Sequence, residues 1–413
     1  FLCLAAITAA AGLSVAKTEK DTAKKSATTP QQARQDKQPV EELLDVDRVS
    51  VNVGVRLIPM VDPRKNKQNN AQNTADMTSN TIFDRIGALR RRFAQQFGII
   101  IPLIRLRDNI NLEPTAYEIK LAEMPIAKGR LEPDMFLAMD SGTVQTKTEG
   151  IETTEPVYGL PALWIKPENK EKAELNGYTV IDPESVFITH LSETLKKHAD
   201  ELLSREDVQL LVDRLRKTQP SLVGEVIGEL VPMGLLQRVL KNLLTDQIPI
   251  RELNTIIESL GELAAKTKNH IALTEMVRKS LSRTITELYK DDNGKISAIT
   301  LEPALEHQMT STLRQEAEAI NLALPTELAM DISKKIAQAW KNAMDKDIEK
   351  IVLLCDSRLR SPLAAMLART VPPLPVVAYD EIVLATEIEP IETISGPQNE
   401  LTTLQPELVG AAN

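Results

Sequence analysis

Apolar residues recur at helical spacing most clearly in the middle of the chain, between residues 235 and 265. Two apolar stripes flank a short break that contains Pro249: Leu236, Val239, Leu240, Leu243 and Leu244 before it, and Leu253, Ile256, Ile257 and Leu260 after it. Because proline ends a helix, this pattern predicts two packed helices joined by a turn. Helical periodicity with short breaks continues on both sides and predicts a helical domain over residues 204–282.

Before this region, strand and helix patterns alternate. Strands are predicted at Val49–Met60, Ile99–Leu106 and Tyr117–Leu121, and a helix at Ile82–Phe97. The apolar face of that helix is predicted to contain Phe83, Ile86, Leu89 and Phe93. Interleaved strands and helices indicate an α/β or α+β unit, which we assign to residues 43–133 and 183–203.

A second small α/β unit is predicted as an insertion, residues 134–182. Its strands are predicted at Phe136–Ala138, Leu163–Ile165 and Tyr178–Ile181, with a Thr-rich loop at Thr143–Thr154 and a helix at Lys170–Leu175. Asp182 followed by Pro183 is a typical helix start, with an acidic N-cap and a proline in the first turn. The chain therefore returns to the first unit through a helix.

Strand patterns reappear after Asn293 and Gly294. Strands are predicted at Ile296–Leu301, Ile351–Leu354 and Pro375–Ala378, and helices at Pro303–Ala317, Thr326–Lys346 and Leu359–Thr370. This order predicts a C-terminal α/β domain over residues 283–390 and a tail over 391–413. The predicted fold class is a multi-domain α+β and α/β protein, with two interleaved N-terminal units, a helical middle domain and a C-terminal α/β domain.

The first 42 residues have a different character. Residues 1–16 are apolar but shorter than the ~20 residues that span a bilayer, and Lys17 begins a polar tract. We interpret them as the end of a last transmembrane helix, with a buried core helix as the alternative. Residues 17–42 have no aromatic residue and predict a flexible linker. A second polar tract, Asp62–Asn80, predicts a loop.

Composition narrows the function classes. The net charge of −9 argues against a nucleic-acid partner, and the basic run at 90–92 fits a solvated helix face. Cys3 and Cys355 lie in unrelated segments, which suggests neither a disulfide nor a zinc site and fits a reducing cytoplasm. The four histidines have no metal-ligand spacing, and no dinucleotide, Walker or nucleophile-elbow motif occurs. We therefore predict no cofactor, no metal and no enzyme activity.

One catalytic alternative remains, a Cys-dependent hydrolase. Cys355 follows a predicted strand and precedes a helix, with Arg358 and Arg360 nearby, which is similar to a phosphatase loop that binds an anion on backbone N–H groups. In that family five residues separate the cysteine from the arginine, whereas four separate Cys355 from Arg360. A buried thiol at a strand end is the simpler interpretation.

A binding residue is suggested by the segment Glu155–Leu160, EPVYGL. It places Tyr158 between a proline and a glycine, in a turn with little apolar periodicity around it. Tyrosine is enriched at interface hot spots, so we interpret Tyr158 as an exposed anchor. The alternative is a turn tyrosine that packs on its own domain. His190, on the predicted helix after Asp182, is interpreted as a partly buried packing residue.

Several longer stretches resemble the bacterial flagellar export-gate family and its type III secretion relatives. They are VGVRLIPMVD (53–62), IRLRDNINLEP (104–114), YGLPALWI (158–165), DPESVFITHL (182–191) and LLQRVLKNLLTDQIPIRELNTIIESL (235–260). The resemblance covers about residues 43–387, and RLIPMVD favours the flagellar branch over a virulence-type export gate. It implies a membrane half in the bacterial inner membrane and a cytoplasmic half that assembles into a nine-membered ring.

The resemblance also implies partners and site residues. The implied partners are export chaperone–substrate complexes, the flagellar export ATPase complex and other export-gate proteins. The docking cleft of the family maps to Glu155, Tyr158, Thr189 and Leu103, and a glycine that matters for conformational change maps to Gly54. Two departures are expected to matter: the family often has Phe at Tyr158, and its linker carries an aromatic residue that is absent here.

Overall fold

The computed structural model describes residues 46–61 and 81–396, apart from 141, 143, 145, 317, 318, 347, 349, 372 and 373. The predicted membrane end at 1–16, the linker at 17–42, the loop at 62–80 and the tail beyond 396 lie outside the described residues. Within the described ranges, no helix is both long and apolar enough to cross a membrane.

The first sheet contains four strands in the order β2-β1-β3-β4. They are β1 Val49–Val53, β2 Ile104–Asp108, β3 Ala116–Leu121 and β4 Met124–Arg130. Strand β1 is parallel to β2 and antiparallel to β3. A short helix, α1 Ile58–Val61, follows β1, and helix α2 Ile82–Gln96 contributes Ile82, Ile86, Leu89 and Phe93 to the core.

Four details of the prediction for this unit were wrong. Phe83 is 45% exposed, because it lies 100° around the helix from Ile82, which takes the buried position. Strand β1 ends at Val53, where a 3₁₀ turn follows, and β2 begins only at Ile104, after Pro102, which cannot donate to a strand ladder. Strand β4 was not predicted.

The second sheet has the order β6-β7-β5-β8, with all pairs antiparallel. Its strands are β5 Phe136–Met139, β6 Ile151–Thr154, β7 Pro161–Ile165 and β8 Thr179–Ile181, and helix α3 is Lys170–Leu175. Strand β6 lies in the segment predicted as a loop. One face packs with α3 in a small core, while Leu137, Ala162 and Trp164 join the main core.

Helix α4, Pro183–Lys197, returns to the first unit and packs against α2 and β5. The Asp182 side chain caps it by accepting from the Ser185 N–H at 2.9 Å, as the sequence predicts. Seven helices follow: α5 Ala199–Leu202, α6 Arg205–Thr218, α7 Pro220–Val226, α8 Met233–Thr245, α9 Leu253–Leu263, α10 His270–Ser280 and α11 Ser282–Tyr289. Both predicted stripes on α8 and α9 are buried.

The last sheet is parallel throughout, in the order β13-β12-β9-β14. Its strands are β9 Lys295–Leu301, β12 Ile351–Cys355, β13 Val376–Ala378 and β14 Glu387–Ile394. The helices are α12 Pro303–Ser311, α13 Thr326–Met344 and α14 Ser357–Leu367, and β10 Leu313–Glu316 pairs with β11 Ala319–Leu322 in a hairpin. Side chains from both faces of this sheet are buried, in two separate apolar clusters.

Two C-terminal predictions need correction. The helix predicted to reach Ala317 ends at Ser311, where the hairpin begins. Strand β14 crosses the predicted boundary at residue 390, so the tail begins later than expected. Its exposed Glu387, Glu389 and Glu392 make it look like a polar tail, although acidic residues are a normal protection for an edge strand. The predicted fold class itself is confirmed.

Candidate functional site

A tight turn at residues 155–160 joins β6 to β7. The Glu155 N–H donates to the Leu160 carbonyl at 2.9 Å, and the Gly159 N–H donates to the Glu155 carbonyl at 3.1 Å. Gly159 has φ +70°, a left-handed conformation that glycine adopts without strain. Local hydrogen bonds therefore define the shape of this turn.

The Glu155 side chain is buried, with the residue only 5% exposed. Its Oε1 accepts from the Val157 N–H at 3.0 Å, and its Oε2 accepts from the Tyr158 N–H at 2.6 Å. Hydrogen bonds to a carboxylate are stronger than those between neutral groups. Glu155 therefore holds the turn from beneath, and it does not present its carboxylate to solvent as a docking acid would.

Tyr158 lies at the surface of the same turn and is 70% exposed. Leu160 of the same turn and Ile151 at the start of β6 are also exposed apolar residues. The exposure matches the interpretation of Tyr158 as an anchor and not the alternative of a ring packed into its own domain. The role of Tyr158 in docking stays a prediction.

Two neighbouring residues of α4 point in different directions. Thr189 is exposed, whereas His190 is buried, as predicted. The His190 Nδ1 lies 2.6 Å from the Tyr117 hydroxyl, which comes from β3. Burial lowers the pKa of His190, and the negative charge of Glu155 opposes that effect. The structure thus brings Glu155, Tyr158 and the Thr189–His190 pair to the junction of the first two sheets.

Leu103 is 66% exposed but lies elsewhere on the first sheet. It precedes Ile104, which pairs with Val49, whereas Tyr117 pairs with Val53 at the other end of β1. At ~3.3 Å per residue, Leu103 is roughly 16 Å along the sheet from the level of Tyr117. Leu103 therefore lies towards the opposite end of β1 from Tyr117, and its role in docking stays a prediction.

Gly54 sits where two backbone segments approach closely. Its N–H donates to the Ala116 carbonyl at 2.8 Å, and a Cβ at this position would lie 2.1 Å from the Glu113 carbonyl oxygen. Its φ of −69° is ordinary, so glycine is needed here for space and not for backbone freedom.

The alternative of a Cys355 nucleophile loses its geometric basis. Cys355 is fully buried at the end of β12, and burial raises the pKa of its thiol. Arg360 donates to Glu275 and Asp246 and does not flank an anion site beside the thiol. Within the described part of the chain, no group of His, Cys, Asp and Glu is arranged to hold a metal ion.

Sequence reasoning missed Tyr117 as part of this site. It was assigned only as a strand residue, and 73 residues separate it from His190. A tyrosine on the apolar face of an alternating strand, beside Ile119 and Leu121, is the available signal, because a buried hydroxyl needs a hydrogen-bond partner.

Comparison with known proteins places this architecture in a family. The FHIPEP family matches residues 1–387, so the chain belongs to the FHIPEP family. The flagellar biosynthesis protein FlhA of Helicobacter pylori is 32% identical over 90% of this chain and 49% of its own length. FlhA of Bacillus subtilis is 34% identical over 86% of this chain and 50% of its own length. The chain thus spans about half the length of these relatives.

Solved structures share the fold. The CdsV protein of Chlamydia pneumoniae matches with a TM-score of 0.70 and 26% identity, over 84% of this chain and 98% of CdsV. The same values of TM-score and identity hold for CdsV in a complex with CdsO, over 84% of this chain and 97% of that one. The nonameric EPEC SctV-C matches with a TM-score of 0.65 at 20% identity, over 84% of this chain and 98% of that one.

Proposed function

We propose that the chain is the cytoplasmic part of a bacterial protein-export gate that serves flagellum assembly. Membership of the FHIPEP family supports the export-gate role, and the flagellar relatives at 32% and 34% identity support the flagellar branch over a virulence-type gate. The full protein is held in the inner membrane by its other half, which corresponds to the part of the FlhA relatives outside the region that this chain matches. The protein docks export partners and orders their export, and it catalyses no reaction.

The docking surface for export chaperone–substrate complexes is centred on Tyr158. The observation that carries this proposal is an aromatic side chain 70% exposed on a turn that a buried carboxylate holds in one conformation. A rigidly presented ring loses little freedom on binding, which favours capture of a partner surface. Thr189 contributes from the adjacent helix, Glu155 positions the turn, and Leu103, which is 66% exposed, is a further proposed docking position.

The same proposal includes a homo-nonameric ring and further partners. The nonameric SctV-C, which shares the fold, supports the ring, and the complex of CdsV with CdsO supports binding of another export component. We include the flagellar export ATPase complex and other gate proteins among the partners. Gly54, where two segments touch, is a point at which a side chain would alter the conformation of the first unit.

The docking proposal is tested by replacing Tyr158 with Ala and measuring binding of a purified export chaperone–substrate complex by calorimetry. Hot-spot truncations cost more than ~1 kcal/mol, so the affinity is expected to fall at least about fivefold. Leu175→Ala is the matched control, because Leu175 is an apolar residue of the same unit and is 88% exposed. An affinity of Tyr158→Ala equal to that of Leu175→Ala would reject the proposal.

A further inference from the structure

We propose that Tyr117 and His190 are positioning residues that seat the Tyr158 turn at the junction of the first two sheets. This inference rests on the proposed docking function and assigns it two residues that do not touch the partner. It starts from the buried pair formed by the Tyr117 hydroxyl and the His190 Nδ1, 2.6 Å apart.

The Tyr117 ring is held from several sides. It is 1% exposed and makes an edge-to-face contact with Phe187, with ring centroids 5.1 Å apart. The ring also lies over Gly129 of the neighbouring strand β4, where a Cβ would come within 2.4 Å of the Tyr117 hydroxyl oxygen. Glycine at position 129 therefore leaves the space that the Tyr117 hydroxyl occupies where it meets His190.

The pair is coupled to the turn through Glu155. The charge of this carboxylate acts on both Tyr117 and His190, which places it near the pair. The same carboxylate accepts from the Tyr158 N–H at 2.6 Å. A shift of Glu155 would therefore move the backbone of Tyr158 directly. Glu155 is thus the group that acts electrostatically on the Tyr117–His190 pair and hydrogen-bonds the backbone of the surface tyrosine.

His190 also links the two proposed docking positions. It follows Thr189 on α4, so the hydrogen bond to Tyr117 fixes the rotation of the helix segment that presents Thr189 to solvent. Removing one partner leaves the buried polar atom of the other, the His190 ring nitrogen or the Tyr117 hydroxyl, without a hydrogen bond, which costs free energy. We expect the turn to move and so reduce this cost. The pair therefore sets Tyr158 and Thr189 in register with each other.

The test uses the chain labelled with 3-fluorotyrosine and observed by ¹⁹F NMR. Five tyrosines give five signals, and Tyr158→Phe identifies the signal of Tyr158. In Tyr117→Phe and His190→Leu we expect the Tyr158 signal to shift or broaden and the affinity for a chaperone–substrate complex to fall at least about threefold. His190→Asn, whose amide can occupy the position of Nδ1, should restore both.

His270→Leu serves as the matched control, since the His270 Nδ1 also accepts a side-chain hydrogen bond, from the Asn242 Nδ2 at 3.1 Å, but in the helical region. It should leave the Tyr158 signal unchanged. An unchanged Tyr158 signal in a folded Tyr117→Phe variant overturns the inference, and this variant keeps the ring that packs the core. A shifted signal together with full affinity in Tyr158→Ala would support positioning while rejecting the docking function itself.

Discussion

Two junctions in this molecule bury polar groups by different means. At the junction of the first two sheets, the neutral pair of Tyr117 and His190 lies near a carboxylate whose own hydrogen bonds go to backbone N–H groups. At the junction of the helices with the last sheet, two arginines and three acidic residues form a continuous ionic network. This network consists of Asp246, Glu275, Arg278, Arg360 and Glu381.

Each side-chain nitrogen of the two arginines in this network donates to an acidic side chain. Arg278, 1% exposed, donates to Glu381 at 2.5 and 2.8 Å and to Asp246 at 2.7 Å. Arg360 donates twice to Glu275 at 2.5 Å and to Asp246 at 3.0 Å. Separating these elements would expose or strand several buried charges at once. The helical region and the last sheet are therefore expected to move as one body.

The Tyr117–His190 junction carries no such constraint. One hydrogen bond between neutral groups contributes only about 1 kcal/mol net. Small rearrangements at this junction therefore cost much less free energy than rearrangements around Arg278. The difference indicates where adjustment on partner binding is expected: between the first two sheets, with the Tyr158 turn keeping its own conformation, and not between the helices and the last sheet.

The largest expected effect comes from Glu381→Gln, which leaves Arg278 buried beside a neutral amide. We expect a loss of about 3–5 kcal/mol in the free energy of unfolding, measured by urea denaturation. Lys279→Ala is the control, because it breaks the exposed 3.2 Å ion pair with Asp380 between the same regions and should cost less than about 1 kcal/mol. Equal losses in the two variants would contradict the proposed rigidity.

A smaller loss is expected for Asp246→Asn. Asp246 accepts hydrogen bonds from both arginines, but its side chain is 27% exposed. Water can therefore replace part of the stabilisation that the Asp246 charge gives to the two arginines. We expect the free energy of unfolding, measured by urea denaturation, to fall by about 1.5–3 kcal/mol, which is the range for hydrogen bonds to charged groups. If Asp246→Asn cost more than Glu381→Gln, burial would not be the factor that ranks the members of the network.

The smallest effect is a pH dependence at the first junction. Burial lowers the pKa of His190 below its ordinary value of 6.5, so the unfolded chain binds this proton more readily than the folded chain. Stability should therefore fall as the pH drops below about 6.5, down to the folded pKa. His190→Asn should remove this part of the dependence, seen as a difference in urea midpoints between about pH 7.5 and 5.5. Identical pH profiles would refute it.

Local patterns predicted much of the fold. The stripes on α8 and α9, the Asp182 cap of α4 and the exposed turn at Tyr158 depend on residues within one or two turns of each other. Helical periodicity and turn composition record such short-range geometry directly. The sequence therefore determined most of the helical segments, the buried stripes of α8 and α9, and the turn that contains Tyr158.

Only the tertiary structure decided how distant groups are paired. Arg278 and Glu381 are 103 residues apart, Arg360 and Asp246 are 114 apart, and Tyr117 and His190 are 73 apart. Pairing with β9 made a strand of the acidic segment β14, and the fold buried the Glu155 carboxylate against the backbone of its own turn. A single sequence records the periodicity of each segment, but the topology of the sheets determines which charges meet and which are removed from water.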